Sequence, residues 1–299
     1  MNKESLFASI QKLKIHVHKG QKRPHKPVLL LYMLVKCLKK EQTEISLGEA
    51  KGVLNHIFNI FFPSVSPSKY HEPFYRLTRD LVDGSPFWLL TNMNINTDDR
   101  NNPFVSDLKN KNPSAYLAPE ALSLFKKDRT LLKKSIESLI FQNFPESLHE
   151  EVKEAFGIPT NSIGSQPRDP KFRPAVLQAY NFKCCVCNFN LRLMDKTIGL
   201  EAGHIKMVSH NGPNTVDNGL AFCPNHHKLF DLGVFTVNYK HEIHLSNLLD
   251  PVNIGVNLYL TTYKKIILPN DPDDYPNGEF LKWHNDLIFE KPIMKRVKS

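Results

Sequence analysis

The chain lacks what would carry it into or across a membrane. Nowhere in its 299 residues does an apolar run approach the roughly 18 residues that span a bilayer, and the longest, Val28 to Leu38, is interrupted by Lys36. The stretch Met1 to Ile15 scatters Lys3, Glu4, Lys12 and Lys14 among apolar residues, without the apolar centre and small-residue cleavage site of a secretory signal. A cytoplasmic protein with no membrane partner is expected. Five cysteines are too few and too unevenly spread for a disulfide framework: Cys37 stands alone, while Cys184, Cys185, Cys187 and Cys223 share one region, a clustering that points to metal. There is no internal repeat and no low-complexity tract. At 41% hydrophobic and 23% charged residues the composition excludes wholesale disorder. What is present in excess is positive charge: 39 Lys and Arg against 30 Asp and Glu leave a net +9, which favours a polyanionic partner such as nucleic acid.

The length suits two domains, and the pattern suggests an α+β fold. Pro27 opens a helix through Val28-Leu29-Leu30-Leu31-Tyr32-Met33-Leu34-Val35 that is apolar almost all round and therefore buried. Ser46 to Phe62 reads as an amphipathic helix, and Pro86 to Leu90 as a short strand after the Asp83-Gly84 turn. From Pro119 to Phe144, Leu122, Phe125, Leu131, Leu132, Ile136, Leu139 and Ile140 keep helical spacing. Residues 1–156 thus form a helix-rich mixed domain. Residues 157–174, with Pro159, Pro167, Pro170, Pro174 and Gly164, suit an extended linker. Residues 175–299 begin with a short helix over Ala175 to Tyr180. A cysteine-bearing turn, a hairpin from Leu191 to Ile205, a helix from near Pro224 and a strand pair at Val234 to Val237 and Ile243 to Leu245 follow.

The chemistry concentrates in the second domain. His204 lies in Glu201-Ala202-Gly203-His204-Ile205, Asn218 in Asp217-Asn218-Gly219-Leu220, and His227 in Cys223-Pro224-Asn225-His226-His227, nine positions after Asn218. In order and spacing these segments, from about Phe182 to Leu245, resemble the HNH endonucleases, whose strand-strand-helix metal finger (ββα-metal) is the fold implied. Hydrolysing a phosphodiester needs an activated water, charge neutralisation at the phosphoryl oxygens and help for the leaving 3′ oxygen. An imidazole, with an ordinary pKa of about 6.5, is matched to neutral pH as a general base. The resemblance implies that His204 is that base and that Asn218 pins the intervening loop, Lys206 to Asp217. His227 and Asp231, four apart on a helix, share a face and can approach one divalent ion. Magnesium, manganese, nickel and zinc all remain open. Gly203 stands where many HNH proteins carry an acidic or histidine ligand, and Glu201 or Asp231 could compensate.

Cys184-Cys185-Val186-Cys187 and Cys223-Pro224-Asn225-His226 supply two chelating pairs, the spacing by which a knuckle and a helix start enclose a structural zinc. Cys184, Cys187, Cys223 and His226 are the expected ligands, with Cys185 an alternative to Cys184. Buried reduced thiols packed as small apolar residues are the plainer alternative. The Lys291 to Lys298 tail reads as a solvated end rather than a DNA-binding arm.

In the first domain, Arg23-Pro24-His25-Lys26-Pro27, Lys69-Tyr70-His71-Glu72-Pro73-Phe74-Tyr75-Arg76-Leu77 and the Trp88 strand follow in a succession that resembles the sulfur-binding domain of modification-dependent restriction endonucleases. Such a domain, preceding an HNH domain, reads DNA in which sulfur replaces a non-bridging phosphate oxygen, and the combined order extends to Phe280-Leu281-Lys282-Trp283-His284. Sulfur is a weaker hydrogen-bond acceptor than oxygen, so a shallow apolar cup favours it, whereas an ordinary phosphate would lose hydration there uncompensated. Tyr70 and Pro73 suit the walls, and Arg23, His25, Lys26 and His71 suit neighbouring phosphates or a base edge. Glu72 stands between a histidine and a proline that are commonly adjacent in that family, and an aromatic-proline cluster that serves packing alone is the plainer reading. The resemblance implies an endonuclease of phosphorothioate-modified double-stranded DNA, a homodimer being expected only from the need for two cuts. One alternative reads a methylated base or unmodified sequence; another, of a different class, is a non-catalytic zinc-stabilised DNA-binding protein.

Overall fold

The computed structural model describes residues 1–18, 21–62, 70–92, 94–159, 163, 169–194, 196–249 and 262–289. The Lys291 to Lys298 tail, Lys69 and the linker positions 160–162 and 164–168 lie outside them. The chain divides into two compact units: Met1–Phe144 with Glu150–Gln166, and Pro145–His149 with Pro167–Ser299. No helix among the described residues is long and apolar enough to cross a membrane.

The first unit contains α1 (Lys3–Gln11), β1 (His16–His18), β2 (Gln21–Arg23), α2 (His25–Leu38), β3 (Glu44–Ser46), α3 (Leu47–Phe61), α4 (His71–Arg76), β4 (Leu81–Val82), β5 (Ser85–Pro86), β6 (Trp88–Leu90), α5 (Val105–Lys111), β7 (Ser114–Leu117), α6 (Pro119–Lys127), α7 (Arg129–Asn143) and most of α8 (His149–Ala155). Helix α2 is buried on nearly every side, as its composition requires, and packs against α3, α4 and α7. A capping box fixes the start of α3: Ser46 Oγ accepts from Glu49 N, and the Glu49 carboxylate accepts from Ser46 N. A three-stranded antiparallel sheet runs β3-β7-β6. Trp88 within it is fully buried and donates its indole N–H to the Phe74 carbonyl at 3.1 Å.

Two elements of the first unit differ from the expectation. The single helix over Pro119 to Phe144 is two, α6 and α7, because Asp128 adopts extended backbone and its carboxylate accepts from Leu131 N at 3.0 Å, an N-cap bond stronger than its weak preference for a helix interior. The strand over Pro86 to Leu90 also divides. Ser85–Pro86 pairs back onto Leu81–Val82 around Asp83 and Gly84, whose φ angles of 50° and 78° make the primed turn that tight hairpins favour, and Trp88–Leu90 joins the sheet.

The second unit contains α9 (Phe172–Ala179), β8 (Arg192–Leu193), β9 (Lys196–Thr197), β10 (Glu201–His204), β11 (Gly219–Phe222), α10 (Pro224–Asp231), β12 (Phe235–Val237), β13 (Ile243–Leu245) and α11 (Gly278–Leu287). The short helix expected from Ala175 starts earlier, at Phe172, inside the stretch read as linker. The expected hairpin over Leu191 to Ile205 does not form as one unit. β8 and β9 close on each other, while β10 pairs antiparallel with β11, setting Gly203 opposite Leu220 and His204 opposite Gly219. Burial explains the choice: all four residues of β11 are buried, whereas Met194 at the β8-β9 tip is 91% exposed. The core gathers Phe172, Val176, Leu177, Leu220, Phe222, Phe230, Phe235 and Leu281.

His284 of α11 shows how this core fixes a polar ring. It stacks on Phe230 with centroids 3.6 Å apart, its Nε2 lies 3.0 Å from the Phe230 carbonyl and its Nδ1 2.9 Å from Thr236 Oγ1. The carbonyl can only accept, so Nε2 donates; in the neutral ring that burial favours, Nδ1 then accepts from the Thr236 hydroxyl. Burial pushes its pKa down to about 3. An unfolded chain takes up this proton near pH 6.5 and the folded chain does not until about pH 3. The stabilisation is thus complete above pH 6.5 and is lost as the pH falls, by about 1.4 kcal/mol per unit. Urea unfolding should show His284→Gln destabilised at pH 7.5 and the gap to the unsubstituted protein narrowed by about 2 kcal/mol at pH 5; a gap constant over that range would contradict this.

Candidate functional site

The cysteine cluster is built from two backbone turns. After α9 the chain doubles back so that Cys184 N donates to the Phe189 carbonyl at 2.9 Å, while Cys185 N donates to Ala221 O of β11 at 2.7 Å, fastening the turn to the strand that leads to Cys223. Cys223 caps α10 and His226 occupies its first turn. The ligand atoms of Cys184, Cys187, Cys223 and His226 lie within 4.8 Å of one another. Sγ of Cys187 and Cys223 are 3.9 Å apart, and Nδ1 of His226 is 3.6 Å from Cys184 Sγ and 3.2 Å from Cys223 Sγ. A tetrahedron with Zn–S of about 2.3 Å and Zn–N of about 2.1 Å has edges of roughly 3.8 Å and 3.6 Å, so these spacings lie within about 1 Å of those of a zinc site. The thiol of Cys184 beside it, with the His226 ring, holds the Cys223 thiol well below its usual range. Cys184, not Cys185, belongs to the group; burial pushes the Cys185 thiol well up.

A second cluster lies where β10 passes α10. His227 is nearly fully buried beside Phe222, and its two nitrogens meet different carboxylates: Nδ1 is 2.7 Å from Glu201 Oε2 and Nε2 is 3.5 Å from Asp231 Oδ2. Burial lowers the His227 pKa, but Asp231 and Glu201 outweigh it and the net shift is upward. Asp231 is raised by burial, partly offset by His227 and by Ser147, whose hydroxyl donates to Oδ2. The expected donors Glu201, His227 and Asp231 therefore do not converge as a three-residue cage. Glu201 and Asp231 flank opposite edges of one ring, and among the described residues only the cysteine cluster closes in that sense. His227 Nε2 with Asp231 offers one side of an ion, and Glu201 is placed to orient the ring, as carboxylates commonly do for ligating histidines.

His204 ends β10. Its ring stacks on Phe172 with centroids 3.9 Å apart and planes 7° apart, and Nε2 lies 2.9 Å from Asn214 Oδ1. With the amide oxygen as acceptor the proton sits on Nε2, which leaves the lone pair on Nδ1. Nδ1 is 3.8 Å from Oε2 of Glu146, and the side chain keeps 11% of its surface exposed. Asn218 is wholly buried and ties the ends of the Lys206 to Asp217 loop: Oδ1 accepts from Lys206 N at 2.9 Å, and Nδ2 donates to Lys206 O at 3.0 Å and Pro213 O at 2.8 Å. A Cβ on Gly212 would stand 1.8 Å from the Lys206 carbonyl oxygen and 2.9 Å from Asn218 Nδ2. Gly212→Ala should accordingly displace this loop and lower thermal stability by about 1–3 kcal/mol, with zinc still bound; calorimetry beside zinc analysis checks it.

Glu146, Ser147, Asn214 and Phe172 were not picked out from the sequence. The first two precede the linker and carry no local motif; only the folded chain brings Pro145–His149 into this unit.

In the first unit, His25 opens α2 with its ring 4.2 Å from Phe58, and Arg23 ends β2 just before it. Tyr70 and His71 open α4, their rings edge-on at 5.7 Å, with Lys51 over the Tyr70 ring. Pro73 is buried rather than lining a surface. Glu72 is accommodated as a first-turn residue of α4, paired with Arg76 at 3.3 Å. Lys26 is engaged within the unit: its ammonium forms an ion pair with buried Asp80 at 2.6 Å.

Comparison with known proteins decides the family. The profile of the ScoMcrA-like DNA sulfur-binding domain matches residues 3–161. The chain belongs to this family. The sulfur-binding domain is followed by a match to the HNH endonuclease family over residues 184–238, which takes in the cysteine cluster, His204, Asn218 and His227. Among solved structures, the sulfur-binding domain of ScoMcrA complexed with phosphorothioated DNA is 18% identical at a TM-score of 0.41, covering 51% of this chain and 94% of that one. The corresponding SprMcrA complex is 15% identical at 0.43, covering 53% and 95%. The modification-dependent restriction endonuclease TagI is 20% identical at 0.30, covering 45% of this chain and 42% of its own. No curated protein matches. At such scores the assignment rests on the two family profiles.

Proposed function

We propose that this protein is a metal-dependent restriction endonuclease whose sulfur-binding domain selects phosphorothioate-modified double-stranded DNA and whose HNH domain hydrolyses its phosphodiester bonds. The carrying observation is the His204 centre, within the HNH match and downstream of the sulfur-binding domain: a half-buried imidazole with one nitrogen engaged by Asn214 and the other 3.8 Å from Glu146, a carboxylate that also acts electrostatically on the His227 and Asp231 pair. In this reading His204 Nδ1 takes the proton of the attacking water, and Asn214 holds the tautomer that makes this possible. Phe172 fixes the ring plane, and Asn218 keeps the loop bearing Asn214 in register with β10. His227 and Asp231 hold a divalent ion; their imidazole and carboxylate donors fit magnesium, manganese, nickel or zinc. When bound, that ion supplies charge neutralisation at the phosphoryl oxygens and the leaving 3′ oxygen. The cysteine cluster holds a structural zinc away from this chemistry. Two such centres in a homodimer would cut both strands.

The sulfur preference is tested by binding. The non-cutting variant His204→Ala should bind a short duplex carrying one phosphorothioate at least tenfold more tightly than the same duplex without it, in fluorescence anisotropy at fixed salt. Equal affinity would remove the sulfur reading and favour recognition of another mark or of sequence.

A further inference from the structure

His227 Nε2 and Asp231 by themselves give an ion only two protein donors. Glu201 is spent on the far nitrogen of His227. Residue 203 cannot carry one: a Cβ there would stand 2.7 Å from His227 Nε2 and 3.1 Å from Phe222 Cδ2, so only glycine lets the ring lie against β10. Glu146, from before the linker, is close enough to both His227 and Asp231 to act on them electrostatically. Pro145 starts a single 3₁₀ turn, Glu146–Leu148, that packs on α10, anchored by buried Leu148. Ser147 fastens the turn to Asp231 through its hydroxyl and, at 3.4 Å, its backbone N–H. This holds Glu146, 29% exposed, with Oε2 3.8 Å from His204 Nδ1.

We propose that Glu146 is the acidic donor that completes the ion site of His227 and Asp231 on the side of the base, so that the nuclease centre is built partly from the segment preceding the linker. The assignment rests on the nuclease reading above. A carboxylate here is the donor that hard divalent cations favour, and its place beside Nδ1 sets the ion next to the water that His204 would deprotonate.

The test uses the full-length, zinc-loaded protein and manganese as the probe. Calorimetric titration with Mn²⁺ should show Glu146→Gln binding at least tenfold more weakly than the unsubstituted protein, with zinc content and thermal midpoint unchanged. Glu146→Asp, which keeps the charge, should fall between them, and His204→Ala should bind Mn²⁺ as the unsubstituted protein does. On phosphorothioate plasmid, cleavage by Glu146→Gln should recover in part as Mn²⁺ is raised. Glu146→Gln that binds Mn²⁺ and cuts normally, while His204→Ala does not cut, overturns the role of Glu146 alone. An unsubstituted protein that neither binds Mn²⁺ nor cuts overturns the nuclease reading with it.

Discussion

Removing zinc is expected to unfold the HNH unit and leave the sulfur-binding unit folded. The second unit rests on short strands and one modest core, and its turn at Cys184 to Cys187 and the start of α10 meet at the four ligand atoms. Zinc held by such a set contributes on the order of 10–16 kcal/mol, comparable with the whole stability of a domain. Cys223→Ser should reproduce the effect, because its Sγ lies beside both Cys187 and His226. Scanning calorimetry should show two transitions in the zinc-bound protein and the loss of one after chelation; persistence of both would contradict a structural zinc. His226→Cys, by contrast, should retain zinc, since a fourth thiolate fits the same tetrahedron.

The second large effect concerns chemistry rather than stability. His204→Ala should slow DNA cleavage by about 10²- to 10⁴-fold, the range lost when a general base is removed. The fold should survive, because the ring is held by a stack on Phe172 and one bond to Asn214 at the edge of the unit, and β10 remains paired to β11 through backbone. Zinc content and DNA affinity should therefore be unchanged. If cleavage persisted, His204 would not be the base; if DNA binding fell in parallel with it, the residue would be contacting DNA.

The parts of this site legible in the sequence are local. Asn218 and His227 stand a fixed nine residues apart because a short strand runs straight into a helix, and the chelating pairs lie within single turns, so spacing carries their geometry. The amphipathic helix expected over Ser46 to Phe62 forms as α3 because its apolar period is likewise local. What escaped was settled by distance in the chain. Lys26 finds Asp80, 54 residues on, and Ser147 finds Asp231, 84 residues on; neither partner has a sequence signature. The pairing of β10 with β11 depended on which strand buried more apolar surface, a tertiary matter. Helix α6 ended at Asp128 against an unbroken apolar period because one N-cap bond outweighed it.

The central claim is that one chain couples recognition of backbone sulfur to scission at the His204 centre. Its most direct test is cleavage of matched plasmids, one phosphorothioate-modified and one not, by the full-length zinc-loaded protein with Mn²⁺, beside His204→Ala. The account predicts double-strand breaks only in the modified plasmid and only with the unsubstituted protein. Equal cutting of both plasmids, or undiminished cutting by His204→Ala, would contradict it.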